Sequence, residues 1–164
     1  MTRDDFLAAN EAHRRLVAKH LRLLRLCLRG RAESHDVSKT FERECALFMR
    51  SIPRLKTLTY GSPEYNEAKA QLGPALAEHY RVNRHHPEHY VVHQAADESN
   101  PLKGMTLVDL AEMLADWLAA VERHADGDIQ ASLDHNEQRF HIPETLMQIL
   151  RNTVAVMETY SGER

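Results

Sequence analysis

Apolar positions recur every three or four residues along almost the whole chain, and no segment alternates apolar and polar residues with a period of two. Residues 4–29 place Leu16, Val17, Leu21, Leu24 and Leu28 on one stripe, which predicts a long first helix ended by Gly30. A second helix is expected from near Ser34 to Met49, with Phe41, Cys45 and Phe48 on one side and Pro53 beyond its end. "LTYGSPEY" (58–65) reads as a turn into a third helix, with Ser62 as N-cap and Pro63 at the first helical position. That helix should reach about Asn83, disturbed at Gly73-Pro74. His86 precedes Pro87 and is pushed out of helical geometry, so "RHHPEHY" predicts a helix exit and a loop to about Gly104. Thr106 then caps "TLVDLAEMLADWLAAVERHA", and two more helices are expected at about 128–138 and 143–160. The pattern predicts an all-α fold: one domain over residues 1–164, a helical bundle of about six helices.

Composition narrows the partners. The formal net charge of −3 favours neither nucleic acid nor an anionic membrane. The longest apolar tract, "HLRLLRLCLRG", is interrupted by arginines and cannot span a bilayer. "MTRDDFLAANEAH" lacks the basic start and apolar run of a signal peptide, so a cytoplasmic protein is expected. Cys27 and Cys45 fall in apolar helical patterns and read as buried free thiols. A homodimer is compatible with the sequence. The unusual number is 11 histidines.

Candidate ligands, histidines and carboxylates, fall in four places. His13 lies within the apolar stripe of the first helix. "SHDVSK" carries the adjacent pair His35-Asp36, followed by Lys39. "EHYRVNRHH" carries His79, Asn83, His85 and His86. "DLAEMLAD" carries Asp109, Glu112 and Asp116. Imidazole nitrogens with carboxylate oxygens suit zinc, iron, manganese or cobalt. Each candidate also has an ordinary reading: His13 as a core histidine, Asp36 as a charge at a helix start, Asp109, Glu112 and Asp116 as a solvated face, "NRHHPEHY" as a polar loop. Joint occurrence favours the metal-site reading.

His13, then His35-Asp36, then Asp116 gives the order H…HD…D, and "HDVSK" looks like an HDxGK motif. The chain therefore resembles the HD-domain superfamily of metal-dependent phosphohydrolases. Over most of its length it is more similar to a small family of uncharacterised bacterial and phage proteins with this HD-like pattern. His79 and the doublet His85-His86 resemble the branch with two or more metals. No GYP-like segment follows His86, so a cyclic-dinucleotide specificity is not implied.

The resemblance implies a divalent ion (Mn, Fe, Co, Zn or Mg; one ion or two) held by His13, His35, Asp36 and Asp116, with His20 a rival to His13. The ion would lower the pKa of a bound water toward about 7 for attack on phosphorus. His79, His85 and His86 would complete a second metal position or hold the substrate phosphate. Lys39 and Arg84 are expected on phosphate oxygens, Glu44 or Glu112 behind water or a ligand histidine, and His89 as the acid for the leaving oxygen. The expected substrate is a nucleotide or another small phosphate ester. Two alternatives stand beside this reading. One is an oxygenase with two irons on the same scaffold. The other is a non-catalytic module braced by its ion. Iron content and oxygen consumption separate the first, and a saturated coordination sphere marks the second.

Overall fold

The computed structural model describes residues 1–59, 62–124 and 126–161, with the side chains of all but residues 43, 47, 51, 74 and 161. The described residues are all-α and contain no strand. The chain divides into two compact units, Met1–His35 and Asp36–Arg164.

The first unit is one helix, α1 (Arg3–Ser34). Its start is a capping box: the Asp5 amide donates to Thr2 Oγ1 (3.1 Å) and the Thr2 amide to Asp5 Oδ2 (2.9 Å). Gly30 does not end it. A glycine inside a helix costs about 1 kcal/mol relative to alanine. Here the Arg29–Glu33 pair (2.7 Å) bridges the weak point, and the helix continues to Ser34. Cys27 is exposed and Cys45 only half-buried, so the expected burial of both thiols is corrected; both are free.

The second unit begins with a turn rather than the helix expected from Ser34. Asp36 has left-handed backbone (φ 54°), and a 3-10 turn follows over Val37–Thr40. α2 (Glu42–Leu55) starts only after Phe41 and carries Pro53 inside its last turn. The turn foreseen at 58–65 lies partly outside the described residues. Beyond it the Ser62 hydroxyl accepts from the Tyr65 amide (3.1 Å) and opens α3 (Pro63–Ala70). The break at Gly73-Pro74 is real, and α4 spans Gly73–Val82. Where a loop was expected after His86, a short helix intervenes, α5 (Pro87–Val92). Its proline stands at the first position, where no amide proton is needed. α6 (Leu107–Glu122), α7 (Ile129–Phe140) and α8 (Glu144–Ser161) lie within three residues of their expected bounds.

The periodicity explains the packing. Met113, Leu114, Trp117 and Val121 share one stripe of α6, and the first three meet Leu133 and Phe140 of α7 and Met147, Leu150 and Val154 of α8. The Trp117 and Phe140 rings stack with centroids 6.3 Å apart. The 3-10 turn packs on α2 and α4, and α2 packs on α3 and α4. Phe48, Leu72 and Ala75 are buried there. Among the described residues no helix is long and apolar enough to cross a membrane.

Candidate metal centre

Three elements of the second unit deliver donors to one point. The left-handed turn at Asp36 carries its carboxylate. α4 carries His79 on its inner face. The turn between α4 and α5 carries His85 and His86, because His86 (ψ 126°) must leave the helical region before Pro87. One donor atom from each of Asp36, His79, His85 and His86 lies within 4.8 Å of every other. His79 Nε2 is 3.2 Å and His85 Nε2 3.6 Å from Asp36 Oδ1, and the Nε2 atoms of His79 and His86 are 2.9 Å apart. Donors bound to one ion at about 2.0–2.2 Å are roughly 3–3.5 Å from each other, so this spacing already matches a coordination shell.

The next layer fixes the ring orientations. Glu44, 5 % exposed, stands 3.2 Å from His79 Nδ1 and accepts from the Ser38 hydroxyl at 3.0 Å. Glu112 Oε1 stands 3.2 Å from His85 Nδ1. The Asn83 amide donates to Ser38 Oγ (2.8 Å) and to the His79 carbonyl (2.9 Å), and its nitrogen lies 2.9 Å from His79 Nδ1, so Asn83 and Glu44 both bear on that ring nitrogen. A carboxylate at Nδ1 favours the tautomer whose Nε2 lone pair is offered to an ion. Asp36 Oδ1 and Nε2 of His79 and His85 face one another, and without an ion a His79 Nε2 proton is shared with Asp36. A divalent ion in that place would serve all three atoms at once.

The electrostatics agree. Burial pushes the Asp36 carboxyl up, but its bond with His79 and the ammonium of Lys39 outweigh this and hold it well below the usual carboxylate range. Burial, with His85 and His79 adding to it, holds His86 well below its ordinary value, so it stays neutral and able to donate a lone pair. Lys39 pairs with Asp36 Oδ2 and lies 5.0 Å over the Phe48 ring.

The remaining expected residues are distributed unevenly. Asp116 Oδ2 is 4.0 Å from His85 Nε2, at the edge of the cluster. Glu44 and Glu112 stand behind ligand histidines. His35 closes α1 as its C-cap and is the last residue of the first unit, and His13 lies within α1; the cluster described is built from the second unit. Arg84 turns to Asp109 instead: its Nε and Nη2 donate to the two carboxylate oxygens at 3.3 Å each, and it lies 5.4 Å over Tyr90. His89 contacts the Arg81 carbonyl at 2.8 Å. Asp109 is 1 % exposed and caps α6, so the solvated-face reading fails at that position.

A cavity of about 180 Å³ opens beside the cluster, with Lys39, His79, His86 and Asp116 in its wall. Lys69 and Tyr80 line it too, and nothing in the sequence pattern singled them out. Burial, reinforced by Arg139, lowers Lys69 to about 8. Burial raises Tyr80 to about 12.

Fold and site together define an all-α protein with a buried histidine–carboxylate cluster suited to a divalent ion. The chain belongs to a family of unknown function, DUF5662, which it matches over residues 2–159. No curated protein and no solved structure matches it.

Proposed function

We propose that the chain is a metal-dependent phosphohydrolase acting on a small phosphate ester such as a nucleotide, as its HD-like pattern implies. One observation carries the reading. Donors of Asp36, His79, His85 and His86 converge within 4.8 Å, and a cavity lined by two of them and by Lys39 adjoins. Those four residues would hold the ion, with Asp116 at its edge. When bound, the ion would supply Lewis acidity and a water of lowered pKa. Glu44 and Glu112 hold the ring orientations. Lys39 and Lys69 place ammonium groups where phosphate oxygens would lie, as compact point charges. Arg84 and His89 are given no part, since Arg84 pairs with Asp109 and His89 Nδ1 with the Arg81 carbonyl.

The test is metal analysis of protein purified without added metal or affinity tag, then a screen of phosphate esters with Mn, Fe, Co, Zn and Mg. Near-stoichiometric metal and chelator-sensitive release of phosphate are expected. Metal-loaded protein inert toward every ester would overturn the reading. It would favour a braced, non-catalytic module, which four protein donors on a tetrahedral ion would fit. The visible spectrum of cobalt-loaded protein separates the two: added phosphate shifts it only where a coordination position is open.

A further inference from the structure

The cavity beside the cluster has two different ends. At one end Phe48 of α2 lies 5.6 Å, ring to ring, from His79, and Asp116 of α6 approaches His85. From there the same faces run away from the cluster. α6 continues from Asp116 through Ala120 to Arg123, and α2 from Phe48 through Ile52 to Lys56; all line the cavity. At 1.5 Å per residue these runs are roughly 10 and 12 Å long. α4 recedes in step, from His79 through Leu76 to Leu72. The far end is tied together by Tyr65 of α3, whose ring lies 6.2 Å from that of His124. The cavity is thus a slot. Its inner end carries His79, His86 and Asp116 of the cluster with Lys39 and Lys69, its middle is mainly apolar, and its outer end carries the exposed side chains of Lys56 and Arg123.

We infer that this slot selects a phosphate-bearing ligand with an apolar body and a second anionic group about 10–12 Å from the phosphate. The inference rests on the proposal that the metal cluster is the phosphate end. Ile52, Leu55, Leu72, Leu76 and Ala120 give no hydrogen bonds to a sugar, and only the Tyr65 and Tyr80 hydroxyls offer any along the wall, so within the proposed class of phosphate esters the slot favours an apolar body over a nucleotide. Two cations at the outer end give a terminal carboxylate or phosphate a partner, while a terminal methyl group leaves them only hydrated.

The full-length, manganese-loaded protein is titrated calorimetrically with ω-carboxyheptylphosphonate and with octylphosphonate, two non-hydrolysable ligands of equal carbon count. The carboxylate ligand should bind about fivefold tighter or more, the scale of a partly exposed ion pair. The preference should collapse in Lys56→Gln/Arg123→Gln, whose positions are exposed and whose fold is checked by its melting curve. Equal affinities, no binding of either ligand, or a preference that survives the double substitution would each overturn the inference. Hydrolysis of octyl phosphate, ω-carboxyheptyl phosphate and the wider set of phosphate esters is scored separately. A binding preference with no hydrolysis of any ester leaves the slot standing and removes the hydrolase; hydrolysis without a preference does the reverse.

Discussion

At the residue scale, Asp36 combines two roles that one substitution can separate. Its left-handed backbone (φ 54°) is tolerated by asparagine and aspartate and disfavoured for most other side chains. Asp36→Asn therefore keeps the turn and removes the charge, whereas Asp36→Ala disturbs both. Asp36→Asn should lose bound metal, measured on dialysed protein, while keeping its helical circular dichroism; full occupancy would remove Asp36 from the ligand set. Glu44→Gln and Glu112→Gln should each keep metal but bind it about 10–100-fold more weakly, the usual effect of losing a carboxylate behind a ligand histidine. Unchanged affinity in both would show that the rings need no such support. The sequence made His79, His85, His86 and the His35-Asp36 pair visible as chemistry, because those residue types cluster. It could not show that Arg84 would turn to Asp109, or that Glu44 and Glu112 would stand behind particular rings. Both depend on where α2 and α6 lie against α4, which no local pattern encodes.

At the scale of elements, the ends of α6 make two checkable points. Asp109 caps the helix through Thr106: its Oδ2 accepts from the Thr106 amide at 2.8 Å and the hydroxyl at 2.6 Å. Burial raises its pKa, but these bonds, with Tyr90 and Arg84, outweigh it and bring the group down to about 2. A folded-state value below the unfolded one of about 3.9 gives stability that is complete above roughly pH 4–5 and lost as pH falls toward about 2. Asp109→Asn should thus melt lower than wild type at pH 7, and the gap should narrow between about pH 4 and 2; a constant gap would contradict this assignment. Beyond the other end, a Cβ on Gly127 would lie 2.1 Å from the Val121 carbonyl oxygen, backbone that cannot step aside. Gly127→Ala should cost about 1–3 kcal/mol, whereas Gly30→Ala, with nothing within 4 Å, should stabilise α1 by about 0.5–1 kcal/mol. Chemical denaturation of the two variants compares them. The helices with a strong cap and an unbroken stripe, α6 to α8, were legible to within three residues. The region from Ser34 to Phe41 was not, because its course depends on a positive φ at Asp36 that aspartate permits without announcing. α5 was missed since six residues are too few to show a period.

At the scale of the whole molecule, the division at His35 allows the site to be tested as a unit. The hydrophobic cluster of α6, α7 and α8 and the donors Asp36, His79, His85 and His86 all belong to Asp36–Arg164. A fragment of residues 34–164 keeps that core and leaves the His35-Asp36 pair intact. It lacks His13 and His20. It should melt cooperatively, because its apolar residues are buried against one another, and the ion should raise its melting temperature, since metal bound only by the folded state stabilises that state by linkage. Isothermal titration with Mn or Zn should give the same stoichiometry as the full chain and an affinity within about threefold, a difference of less than 1 kcal/mol. Binding should weaken as pH falls through the histidine range in both proteins, as protons compete for Nε2. A fragment that folds but loses the metal would place a required donor in residues 1–33. His13→Ala and His20→Ala in the full chain would then decide which of the two histidines supplies it.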